Sequence, residues 1–137
     1  MITAFDADVL IYAAKEEQPL GRNVALLFEE SKFGFVGIGS ALLLVEVLIK
    51  PMRINPESCE TEKLFELISR INLRPLDQHT AEMALSLGVK YGLKAIDAAH
   101  LATAIIGRAD RFVTNNRRDF HKDIEEIDIV YPEDLTQ

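Results

Sequence analysis

Glu46 is the single acid in an otherwise apolar stretch, Ala-Leu-Leu-Leu-Val-Glu-Val-Leu-Ile over residues 41–49. At helical spacing its neighbours are Leu42, Leu43 and Ile49. Burying an unpaired carboxylate is costly, so a residue placed this way calls for a cation or a hydrogen-bond donor. The plainer alternative is a carboxylate at the rim of the helix, or one paired with lysine or arginine. Asp97 repeats the pattern within Ala-Ile-Asp-Ala-Ala-His-Leu-Ala-Thr-Ala over residues 95–104, sharing a face with Leu101, Ala104 and Ile105. It also falls in a first helical turn, where a carboxylate favours the helix dipole by a few tenths to about 1 kcal/mol. That accounts for its position and not for its apolar face.

Two further acids follow short apolar runs. Residues 2–5 read as a buried strand that delivers Asp6 to its C-terminal end, where α/β domains place chemistry. Asp6 and Asp8 serve equally well as the cap of the helix that follows. In Val113-Thr114-Asn115-Asn116-Arg117-Arg118-Asp119-Phe120 a strand runs into a polar turn from which Asn116 and Asp119 can point back to the strand ends. In isolation both are ordinary turn formers. Taken together, Asp6, Glu46, Asp97 and Asp119 offer hard oxygen atoms at the ends of different elements, with no clustered histidine or cysteine. Such a set favours magnesium or manganese over zinc or copper. Two hydrated divalent ions about 4 Å apart activate a water and stabilise the leaving oxygen of a phosphodiester, so no nucleophilic side chain is required. His79, His100 and His121 lack ligand spacing and read as structural or surface residues. His100, one turn beyond Asp97, is the one to watch.

Positioning these residues takes alternating elements. Strands are expected over 2–5, 33–39, 72–76, 111–114 and 127–131, and helices over 9–15, 23–31, 41–49, 56–71, 80–91 and 94–106. Pro19-Leu20-Gly21 is read as a break between the first two helices. Ser40 is read as a cap, Pro51 as a stop and Pro56 as a start, while Gly92 and Gly107 end the last two helices. The alternation implies an α/β fold, a three-layer sandwich around a mostly parallel sheet of four or five strands, formed by residues 1–137 as one domain.

Composition sets the outer bounds. The chain has 137 residues, 48% hydrophobic and 27% charged, which suits one folded domain rather than a disordered segment. No apolar run reaches the roughly 20 residues of a membrane helix, and the start lacks the basic flank and apolar stretch of a signal peptide, so a cytoplasmic protein with no membrane partner is expected. Cys59 is the only cysteine, which excludes an intramolecular disulfide and a cysteine-built zinc site and leaves a buried or idle thiol. A net charge of −7 argues against nucleic-acid binding by bulk charge. Any contact must be local, and Arg108, Arg111, Arg117, Arg118 and Lys122 stand against only Asp110 and Asp119 within 108–122.

The motifs 5–11 (Phe-Asp-Ala-Asp-Val-Leu-Ile), 46–48 (Glu-Val-Leu), 96–104 and 112–120 occur in an order and spacing that resemble PIN-domain proteins, specifically VapC-type toxin ribonucleases of toxin–antitoxin pairs. The resemblance implies a metal-dependent endoribonuclease, with Mg2+ or Mn2+ held by Asp6, Glu46, Asp97 and Asp119. Asn116 is the alternative for the last acid, and Asp8 and Thr114 are further candidates. It also implies an RNA substrate, with Arg117 and Arg118 as candidate contacts, a cognate antitoxin and a homodimer. Two departures bear on activity: Asp8 replaces the serine or threonine of many relatives, and Asn116 replaces an aspartate. A catalytically silent interaction module on the same fold is therefore an alternative. The opening Phe-Asp-Ala-Asp-Val-Leu also resembles haloacid-dehalogenase phosphatases, with Asp6 as nucleophile and Asp8 as general acid.

Overall fold

The computed structural model of the chain describes residues 1–15, 19–31 and 34–135. Among the described residues the sheet has five strands, β1 (Thr3–Phe5), β2 (Gly37–Ser40), β3 (Ile71–Arg74), β4 (Arg111–Val113) and β5 (Asp128–Val130). They lie in the order β3-β2-β1-β4-β5, and every pairing is parallel. The chain leaves β1 on one side for β2 and β3, then returns to build β4 and β5 on the other. The order thus reverses beside β1, and in open parallel sheets the crevice at such a reversal is where ligands bind.

Alternation along the strands divides the core into two faces. Phe5, Ile71, Val113 and Val130 meet side chains of α1 (Ala7–Ala14), α2 (Pro19–Glu30), α3 (Leu42–Ile54) and α4 (Cys59–Ser69). Ala4, Ile38, Phe112 and Ile129 face α5 (Gln78–Tyr91) and α6 (Ala95–Ile106). A short 3-10 helix, Pro132–Leu135, ends the described chain. The three-layer sandwich is the one expected, with an entirely parallel sheet. In α6, Ala98, Ala99, Ala102 and Ala104 are all buried, and these small side chains let the helix lie close over β1, β2 and β4. That close approach brings Asp97, in its first turn, to the strand ends.

Three proline and glycine readings are corrected. Pro19-Leu20-Gly21 does not separate two helices: Pro19 opens α2, where its fixed φ suits a first helical position. Gly21 lets α2 touch α1, since a Cβ there would come within 2.0 Å of the Tyr12 carbonyl oxygen. Pro51 does not stop α3, which runs on to Ile54 with Asn55 N donating to the Pro51 carbonyl at 2.9 Å. Proline forfeits its own N–H bond, but its φ is helical and the residues after it can continue. Pro56 does not start α4. It lies in a turn held by Asn55, and Ser58 caps the helix by accepting from Thr61 N at 3.1 Å.

The remaining differences are of boundaries. The second strand begins at Gly37, and Phe33 lies outside the described residues. The third is Ile71–Arg74 rather than 72–76. Ser40 does bond the start of α3, its Oγ accepting from Leu42 N at 3.1 Å, although Ala41 occupies the cap position. Gly92 ends α5 with φ 68°, a left-handed conformation that glycine adopts without steric cost. Cys59 is exposed.

Candidate active site

The carboxyl ends of β1 and β4 are tied together at Asp6. Its backbone N donates to the Val113 carbonyl at 2.9 Å, its Oδ1 accepts from Ala7 N at 2.8 Å, and its Oδ2 accepts from Thr114 Oγ1 at 2.7 Å. Asp6 is therefore both the cap of α1 and the acid at the sheet's reversal, at 4% exposure. Burial pushes its carboxyl above the usual range, Glu46 adds to the rise, and His100, Thr114 and Ala7 N oppose it. Asp8, in the first turn of α1, does not take the cap. Its carboxylate accepts from Asn115 N at 3.1 Å, in the loop after β4. Burial and then Asp6 push Asp8 up to about 7.

Asp97 is half-buried. Its carboxyl is pushed up to about 6, first by burial and then by the negative charges of Asp6, Asp119 and Glu46 in that order. Asp6, Asp119 and Glu46 thus all lie near enough to act on the Asp97 carboxyl. Asp119 is oriented by Asn116, whose Nδ2 donates to Asp119 Oδ2 at 3.0 Å. Asn116 N in turn donates to Thr114 Oγ1 at 3.0 Å. Asp6, Thr114, Asn116 and Asp119 consequently form one hydrogen-bonded chain along the loop after β4.

Glu46 is less enclosed than its apolar stretch suggested. Its side chain is 33% exposed, and Ile49 on the same face is 54% exposed. Its partner is His100 Nε2, 2.6 Å from Oε1. His100, which the sequence presents as structural or surface, is buried and bonded to one of the candidate acids. The available signal was its place one turn beyond Asp97, as the one ring in a helix of small and aliphatic residues.

The cationic stretch is largely engaged. Arg117 donates to Asn115 Oδ1, pairs with Glu133 and stacks 4.5 Å from the Tyr131 ring centroid. Lys122 Nζ lies 2.7 Å from Asp134, and Arg111 Nε donates to Thr3 Oγ1 at 2.9 Å. Arg118 is exposed. Counting only Asp110 and Asp119 as opposing charges overlooked Glu133 and Asp134, which the 3-10 helix returns to this loop.

Among the described residues, no three histidine, cysteine, aspartate or glutamate side chains form a ready-made cage for an ion. The donors nevertheless suit a hard divalent cation. They are carboxylate oxygens, those on Asp6, Asp8 and Asp97 having their proton affinity raised by burial and by neighbouring carboxylates, and among the described residues no lysine or arginine side chain is hydrogen-bonded or ion-paired to any of the acids.

A family model described as the PIN domain matches residues 4–126. Among solved structures, the chain is similar to a toxin–antitoxin complex from Klebsiella pneumoniae, with a TM-score of 0.72 at 24% identity, over 96% of this chain and 98% of that one. It is also similar to VapBC2 from Rickettsia felis bound to a DNA fragment from its promoter, with a TM-score of 0.70 at 19% identity, again over 96% and 98%. No curated protein matches the chain. The likeness to the two structures shows the fold.

Proposed function

The chain belongs to the PIN-domain family, and on that premise we propose that it is a metal-dependent endoribonuclease, the toxin of a toxin–antitoxin pair. The observation that carries this reading is the Asp97 carboxyl, which feels Asp6, Asp119 and Glu46 together. Asp6, Glu46, Asp97 and Asp119 would hold Mg2+ or Mn2+, with Asp8 close enough to raise the total charge. The bound ion would activate a water and stabilise the leaving oxygen of the phosphodiester. The rest falls to the chain's own side chains. Thr114 holds Asp6 on the oxygen away from α1, Asn116 orients Asp119, and the amide of Asn115 holds Asp8. Asn116 thus serves the fourth acid as a donor, which favours Asp119 as the ligand.

RNA is met locally in this reading, with the exposed Arg118 as the first contact and Arg117 available on exchanging Glu133 for phosphate. The two similar structures are a toxin–antitoxin complex and VapBC2 on promoter DNA, and this supports a cognate antitoxin as partner of this chain. A homodimer and a cytoplasmic location complete the proposal. Among the described residues no helix is long and apolar enough to cross a membrane. The phosphatase alternative falls with the family membership, since its motif covers only residues 5–10 while the PIN match spans 4–126.

A silent interaction module on the same fold is the competing reading, favoured by the neutral Asn116 and the absence of a ready-made cage among the described residues. One experiment separates the two: the purified chain incubated with single-stranded RNA and Mn2+, with and without chelator. Endonucleolytic cutting that the chelator stops supports the nuclease. Intact RNA under both conditions, from protein that still binds its antitoxin, supports the silent module.

A further inference from the structure

His100 is fully buried, and its ring makes one hydrogen bond, Nε2 to Glu46 Oε1 at 2.6 Å. Its other nitrogen, Nδ1, is buried without a partner. A ring that only filled space between α6 and α3 would carry two buried polar atoms to no purpose, because an apolar side chain of the same size fills the volume without that cost. The contact also joins two helices on opposite faces of the sheet, as α3 belongs to one core cluster and α6 to the other. Among the described residues His100 is the one side-chain hydrogen-bond partner of Glu46, and a third of the Glu46 side chain is open to water. Without His100, a long carboxylate at that exposure would sample several rotamers.

We propose that His100 is a positioning residue: through Nε2 it fixes the Glu46 carboxylate in the orientation that the divalent ion requires, acting as the outer partner of a metal-binding acid. The inference rests on the metal-site reading above and adds to it a member drawn from the core. Ligand carboxylates depend on such partners, whose loss typically weakens metal affinity 10- to 100-fold.

The test is calorimetric titration of the full chain with Mn2+, together with thermal unfolding in the absence of metal. Glutamine places an N–H donor where histidine has Nε2, asparagine places one nearer Nδ1, and leucine supplies none. His100→Leu and His100→Asn are expected to bind Mn2+ 10- to 100-fold more weakly, and His100→Gln within about threefold of wild type. The metal-free His100→Leu protein is expected to melt no lower than wild type, and combining it with Glu46→Gln to weaken binding no further than Glu46→Gln alone. Wild-type affinity in His100→Leu overturns the proposal while leaving the site intact. So does weakening in all three variants that tracks a loss of metal-free stability. Absence of Mn2+ binding by the wild type overturns the metal-site reading itself, and this inference with it.

Discussion

Asp8 and Asp97 hold their protons to about pH 7 and about pH 6, far above the ~3.9 of an aspartate in an unfolded chain. A carboxyl whose folded value is raised stabilises the fold fully below the unfolded value, and that contribution is lost as pH rises through the folded one. The surface acids with lowered values, Asp77, Glu126, Glu133 and Asp134, work in the opposite sense but complete their change below about pH 5. Metal-free protein should therefore melt at a higher temperature at pH 5.5 than at pH 8, and Asp8→Asn should raise the pH 8 midpoint and flatten the slope. Millimolar Mg2+ should stabilise the protein most at pH 8, where it no longer competes with protons. Melting curves across that range check all three, and a flat metal-free midpoint would contradict them. Thr114 is a second test at this scale. It is fully buried and gives Asp6 its donor, so Thr114→Val should cost about 1–3 kcal/mol in unfolding free energy and weaken Mn2+ binding 10- to 100-fold.

At the level of elements, α6 is the part whose placement the site can least do without. Ala102, on the inner face of α6, is fully buried, and Ala102→Leu should cost about 1–3 kcal/mol by overpacking. It should also weaken metal binding, because Asp97 moves with the helix; denaturant unfolding and calorimetry would measure the two effects. The alanine run announced both the helix and its close fit in the sequence, and Glu46 and Asp97 were legible as acids among apolar neighbours. What the sequence hid was pairing between distant elements. Nothing local to residues 41–49 names His100, and nothing in 108–122 points to Glu133 and Asp134, which reach Arg117 and Lys122 only after the chain returns beyond β5. Pro51 and Pro56 misled for a local reason. Proline punctuates a helix by position, and one inside a last turn or a preceding loop carries the same letter as a stop or a start.

For the molecule as a whole the net charge is −7, and the engagement of Arg117 and Lys122 with Glu133 and Asp134 leaves few cations beside the site for a phosphate backbone. RNA binding should depend weakly on salt, with a log–log slope of magnitude below about 3, since each phosphate contact on a single strand contributes about 0.7. Fluorescence anisotropy across a salt series would measure it, and a slope several times steeper would mean that a larger basic surface forms, for instance across a dimer. The proposed chemistry depends on the acids near the reversal of the sheet, and the Asp97 carboxyl is the one raised by the other three proposed ligands. The most direct measurement is cleavage of single-stranded RNA in Mn2+ by wild type and by Asp97→Asn, each shown to be folded. Wild type should cut and the variant should lose at least about 100-fold, at or beyond the upper end of what losing an outer partner costs a metal site. Equal cleavage by the two proteins would contradict the proposed chemistry.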